Sequence, residues 1–241
     1  MRFRGSDVGR REKIVMKETW KERFIRRGNE KYMAKQVQQI AKKYDASARQ
    51  GEIVFYGASN FTLWKTMEED IPMYRVQNHG FGGSDDEGLM ANAEKILYPY
   101  NPKIVVFQTG SNDYVNESGT DEEKIAVCMK RKEKMFELFH ERLPEAKFLV
   151  MAGILLPGRK QFLDLTLEVN RQLKELCERI PYLEYVDSAE MTYHDGAFDE
   201  SLFVRDGIHL TPEARIRWAG EYIIPALDRV VEEKHLEGVK K

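Results

Sequence analysis

His209 stands in the stretch DGIHLTPEA, with Asp206 three residues before it. A short turn brings such a pair together. The carboxylate then holds one imidazole nitrogen and leaves the other free, which is the tautomer a general base needs. The same spacing also serves plain local hydrogen bonding at a surface. The chain has five histidines, and the other four are less suggestive. His235 lies in a charged tail, His140 deep in a charged helical stretch, His194 beside Asp195, and His79 within a glycine-rich turn.

A base needs a nucleophile and a place for the charge that develops. Acyl transfer to serine requires a hydroxyl, a base, an orienting partner for the base, and donors for an oxyanion. The run IVFYGASNF, residues 53–61, reads as a buried strand that stops at Gly57 and then presents Ser59. Such a serine either caps the next helix or is a nucleophile at the mouth of a sheet. In NHGFGGS, residues 78–84, three glycines let a backbone N–H approach a ligand closely. The alternative is a tight turn before a helix capped by Ser84 or Asp85. It is no dinucleotide fingerprint, because the third glycine would fall on Asp85. In TGSNDY, Asn112 offers a neutral amide as an oxyanion donor or an Asx turn.

The elements that must position these residues follow from periodicity. Short apolar runs at Ile53–Tyr56, Tyr74–Gln77, Lys103–Gln108, Phe148–Ala152 and Tyr182–Val186 read as strands. Helical patterns fall between them at Asp86–Leu97, Asp121–Arg142 and Gln161–Arg179. Thr120 and Glu123 form a capping box for the second of these. A last helix runs from Pro212 to about Lys234, with Thr211 as N-cap. Before the first strand, Glu18–Arg49 reads as one or two helices, with Trp20, Phe24, Tyr32, Val37, Ile40 and Tyr44 as apolar anchors. Strand–helix alternation predicts a parallel sheet covered on both faces. Sites in such sheets form outside the carboxyl ends of the strands. GASN, NHGFGGS, TGSNDY and LPG all fall there, and RDGIHL precedes the last helix.

In order and position, these blocks resemble the SGNH hydrolases, also called the GDSL family of esterases and lipases. The resemblance covers roughly residues 51–231. GSND, DGIHLTPEA and NPKIVVFQTGSNDY carry it most specifically. It implies a flavodoxin-like three-layer α/β/α sandwich around a mostly five-stranded parallel sheet. Residues 51–241 would form that domain, with 1–50 a helical extension packed on it. It also implies Ser59 as nucleophile, His209 as base and then acid, and Asp206 as its orienting partner. The Ser59 N–H, the Gly83 N–H and the Asn112 amide would hold the oxyanion. Gly83 is chosen because the family's glycine comes five residues after the Asn ending the second strand. Two positions depart from the family. Ala58 stands where it usually carries Asp, and His79 where Arg is frequent. Asp113 is expected to brace its loop.

The implied activity is carboxylic ester hydrolysis, lysophospholipase- or acetylesterase-like, on a small or soluble ester, without cofactor or metal. The rival reading is a catalytically weak or inactive ligand-binding protein on the same fold. Phe61, Trp64, Phe81, Tyr114 and Ile208 are candidates for pocket lining or for core. A net charge of −2 gives no nucleic-acid footprint. Cys128 and Cys177 read as buried free thiols. With no apolar leader segment and no long apolar run, the expected partner is a small-molecule ester in the cytoplasm. A homo-oligomer is compatible with the sequence but not derivable from it.

Overall fold

The computed structural model describes residues 20–115 and 117–241, with side chains from Glu30 onward. The leader-segment expectation and the anchoring side chains of Trp20 and Phe24 lie outside what it describes. In chain order the main elements begin with α1 (Trp20–Lys43), β1 (Ile53–Gly57), α2 (Ser59–Thr62), α3 (Met67–Asp70) and β2 (Val76–Asn78). Next come α4 (Asp86–Ile96), β3 (Ile104–Gln108), α5 (Asn112–Val115), α6 (Asp121–Arg142), β4 (Lys147–Met151), α7 (Leu163–Arg179) and β5 (Leu183–Val186). The chain continues through β6 (Tyr193–His194), β7 (Ala197–Phe198), α8 (Pro212–Trp218) and α9 (Ile224–Glu233). The large sheet runs β2-β1-β3-β4-β5 with every neighbouring pair parallel. That is the flavodoxin-like order, whose switch point lies between β1 and β3.

Alternation along the strands builds two cores. Ile53, Phe55, Ile104, Val106 and Leu149 face α8 and α9, against Trp218, Leu227 and Val230. Val54, Tyr56, Val105, Phe107 and Phe148 face the other way, against Leu89 and Ile96 of α4, Phe136 and Phe139 of α6, and Leu173 of α7. Val37 and Ile40 of α1, and Tyr44 just past its end, join this second core. Burial of these side chains, at about 1.5–3 kcal/mol each, is the main driving force for the layered arrangement. Both cysteines are buried and free.

Two readings need correction. Tyr32 is no anchor: it is 60% exposed. The C-terminal run is not one regular helix. Residues Ala219–Ile223 widen into a π-turn, with the Ile224 N–H donating five residues back to Ala219. Pro225 explains it, because a proline has no N–H and its ring crowds the carbonyl four residues earlier. Beyond the elements read from the sequence, the structure adds the β6–β7 hairpin, turning on Asp195 and Gly196 with φ of 52° and 78°. Asp-Gly between short strands is the signature of a type I′ turn.

Candidate active site

The nucleophile turn depends on how closely β1 approaches β3. A Cβ on Gly57 would sit 2.2 Å from the Gln108 carbonyl oxygen, so only glycine lets the strand end there. The Ala58 N–H donates to that same carbonyl at 3.2 Å, and the Ala58 carbonyl accepts from the Phe61 and Thr62 N–H groups. Asn60 braces this turn from one residue beyond Ser59. Its Oδ1 accepts the Leu210 N–H at 3.0 Å. One side chain thus ties the serine turn to the histidine loop across 150 residues of chain.

That loop holds the acid–base pair. Asp206 Oδ1 accepts from the N–H groups of Ile208 (2.8 Å) and His209 (3.0 Å), and Oδ2 pairs with His209 Nδ1 at 2.6 Å. Burial alone would raise the Asp206 pKa, but the bonds from His209 and Ile208 outweigh it and hold the pKa below the usual value. His209 Nε2 lies 2.9 Å from Ser59 Oγ. The sheet switch point therefore carries a continuous Asp206–His209–Ser59 chain of hydrogen bonds. Gly207 sits at φ +66°, and its carbonyl accepts the Gly158 N–H at 2.9 Å. Arg215, from α8, donates to the carbonyls of Leu63 and Leu210 and locks the same two segments from behind.

Candidate oxyanion donors are the N–H groups at the cleft that have no partner among the described residues. In the glycine-rich turn, Gly80 N donates to Asn78 Oδ1, Phe81 N to the Gly57 carbonyl and Gly82 N to Gln36 Oε1. The Gly83 N–H has no partner among the described residues and lies at the cleft, with φ +81°. The Ser59 N–H, at the first position of α2, is likewise unpartnered. Asn112 gives one amide hydrogen to the Ser84 carbonyl at 2.9 Å, and its second is unused. Asp85 caps α4 through the Gly88 N–H, while Ser84 Oγ donates to the Gly57 carbonyl.

Behind these donors lies a buried ion cluster. Lys132 of α6 donates to Asp86 Oδ2 (2.9 Å) and Thr109 Oγ1 (2.7 Å) and stands 3.7 Å from Asp113 Oδ2. Asp113 Oδ1 accepts the Asp86 N–H at 2.8 Å. Burial first, and Asp86 next, push the Asp113 pKa up. Asp113 is a brace between the loop after β3 and the start of α4. His79 is also structural. It is buried against Tyr44 and Tyr100, with Nδ1 2.5 Å from the Ile96 carbonyl.

Phe61, Trp64, Phe81 and Tyr114 are buried core; of the five pocket candidates, only Ile208 lines the cleft. The cleft is about 350 Å³ and is lined by Ser59, His209, Gly83 and Asn112, with Leu63, Leu156, Ile208, Tyr32 and Arg159. Gln36, Asn60, Lys132 and Arg159 are contributors that motif reading missed. Lys132 had a legible signal, a lysine on the apolar stripe of Cys128, Met135, Phe136 and Phe139.

This geometry can pass a proton from Ser59 Oγ to His209 and accept negative charge near Gly83 and Asn112. Among the described residues, no helix is long and apolar enough to cross a membrane. No curated protein sequence matches the chain. Solved structures with the same fold include a candidate acylhydrolase from Bacteroides fragilis, with TM-score 0.65, 17% identity, and coverage of 80% of this chain and 96% of that one. A GDSL-like lipase from Bacteroides thetaiotaomicron gives 0.62, 16%, and 81% against 97%. A carbohydrate esterase family 3 protein from Talaromyces cellulolyticus gives 0.57, 14%, and 76% against 99%. The sequence model of the GDSL-like Lipase/Acylhydrolase family matches residues 55–215, well over half of the chain. The chain belongs to that family of hydrolases.

Proposed function

We propose that the chain hydrolyses a small carboxylic ester through an acyl-enzyme on Ser59. The observation that carries this reading is the unbroken line from Asp206 through His209 to Ser59 Oγ, with bonds of 2.6 and 2.9 Å. In the first step His209 Nε2 takes the Ser59 proton as Oγ attacks the ester carbon. The Ser59 and Gly83 N–H groups and the Asn112 amide receive the negative oxygen. His209 then protonates the departing alcohol. In the second step water attacks the acyl carbon, His209 again acting as base, and carboxylate is released.

A cleft of about 350 Å³ lies at the lower end of the usual range for small-molecule sites. It supports a short acyl group, on a sugar or on a lysophospholipid-like alcohol, rather than a long fatty chain. A fluorophosphonate should add one label, on the peptide containing Ser59. 4-Nitrophenyl acetate should give a burst of nitrophenol that disappears in Ser59→Ala. Labelling at Ser84 or Ser111 would reject the assignment of the nucleophile. An intact protein that takes up short esters without turning them over would establish the inactive binding reading instead.

A further inference from the structure

We propose that Arg159 anchors an anion subsite in the cleft, so that the ester hydrolysed carries a carboxylate or phosphate close to its scissile bond. The inference rests on the ester-hydrolase reading and names its substrate class. Arg159 follows the loop after β4, at a break in a 3₁₀ segment where its own backbone is non-helical. Its Nη1 donates to Ser111 Oγ, and to Asn112 Oδ1 at 3.2 Å. Both partners are neutral. Nε and Nη2 have no partner among the described residues, and no carboxylate there pairs with this guanidinium.

A side chain needed only to steady Asn112 could be a neutral donor. Arg159 brings a full charge and half of a planar fork that nothing uses. Its position is half-buried, and burial pulls its pKa below the ordinary arginine value. His209 apart, it is the one ionisable basic side chain lining the cleft among the described residues, and no carboxylate among them lines it. Asp206, the nearest acid to the chemistry, gives both oxygens to His209 and its loop. A neutral substrate would strip water from the cation and return nothing. An anionic one would meet the free Nε and Nη2 edge, the geometry in which arginine binds carboxylate and phosphate bidentately. Leu156 and Ile208 alongside lower the local dielectric and strengthen that attraction. Because Nη1 touches Asn112, the anion would lie close to the carbon that Ser59 attacks.

The test compares matched substrates. On the acyl side, 4-nitrophenyl hydrogen succinate is set against its methyl-capped, neutral counterpart. On the alcohol side, monoacetylglycerol 3-phosphate is set against monoacetylglycerol. At least one anionic member should exceed its neutral partner by about tenfold or more in kcat/KM, as a hydrogen bond to a charged group warrants. Which pair responds tells acyl-side carboxylate from alcohol-side phosphate. Arg159→Gln should bring that ratio to about one, and Arg159→Lys should keep part of it. The ratio, unlike the rate, is unmoved if the variant merely loosens Asn112. Ratios near one in the wild type, or a preference that survives Arg159→Gln, would overturn the subsite. Loss of all turnover, 4-nitrophenyl acetate included, would count against the hydrolase reading alone. Binding is therefore read separately, by titrating Ser59→Ala with monomethyl and dimethyl succinate and monoacetylglycerol with and without its phosphate. Anion-selective binding abolished by Arg159→Gln sustains the subsite; equal binding within both pairs removes it.

Discussion

A serine hydroxyl is a weak nucleophile until a base removes its proton, and an ester oxygen gains its negative charge only as attack proceeds. At the residue scale the site meets these two demands with different groups. In the proposed mechanism His209 and Asp206 serve the proton, and the Gly83 N–H, the Ser59 N–H and the Asn112 amide serve the oxygen. Asn112 is held on both sides, by the Ser84 carbonyl and by Arg159, which leaves one amide hydrogen for the cleft. Because that hydrogen acts mainly in the transition state, Asn112→Ala should lower kcat by about 10²–10³ while KM changes little. Steady-state kinetics on 4-nitrophenyl acetate decide it; a raised KM with intact kcat would make Asn112 a binding residue. The sequence showed these residues because each sits in a short local pattern: a D-x-x-H turn, a strand ending in glycine, an Asn just past a strand. Asn60 and Arg159 act on partners 150 and 47 residues away, and no local spacing announces such a pair.

At the scale of elements, the candidate donors are aimed by buried side chains of α1 and α6. Gln36 of α1 grips both backbone polar groups of one residue, Gly82, in the glycine-rich turn. Its Oε1 accepts the Gly82 N–H at 2.8 Å, and its Nε2 lies 3.4 Å from the Gly82 carbonyl. By using up the Gly82 N–H, it leaves Gly83 as the exposed donor. Gln36→Ala should cost about tenfold in kcat, since small displacements of a positioned group carry penalties of that order. The orphaned N–H should also cost about 1–3 kcal/mol in urea unfolding. Unchanged kcat would detach α1 from the chemistry. The Lys132 cluster does similar work from α6, joining α4 to the loop of Asn112. Lys132→Met leaves Asp86 and Asp113 facing each other without a cation, and should destabilise the fold by about 3–5 kcal/mol. Full stability in that variant would mean both acids bind protons at little cost. Strands and amphipathic helices were legible from period and caps because they answer to local pattern. The π-turn was not, because it depends on how Pro225 meets a carbonyl four residues earlier in a continuing helix.

For the molecule as a whole, His79 makes stability depend on pH through a group remote from the reaction. It lies at the end of β2, inside the core that α1 and α4 share, its ring 4.5 Å from that of Tyr100 and 5.0 Å from that of Tyr44. Burial is the largest influence on its pKa, and the Ile96 carbonyl opposes it; the outcome is a fall from 6.5 to about 4. An unfolded chain binds a proton at His79 below about pH 6.5, while the folded chain refuses it until about pH 4. The folded state is thus at full advantage above pH 6.5 and loses ground as pH falls through the window from 6.5 to about 4. Each pH unit in that window is worth about 1.4 kcal/mol, on the order of 3 kcal/mol over the whole of it. His79→Asn keeps a neutral donor for the Ile96 carbonyl but has nothing to titrate. Urea unfolding at pH 7 and pH 4.5 should show the wild type losing about 2–3 kcal/mol more than His79→Asn between the two conditions, with other acidic groups cancelling in the comparison. An equal loss in the two proteins would mean that His79 takes up its proton inside the fold, with the Gln77 oxygen 3.2 Å from Nε2 serving as its second acceptor.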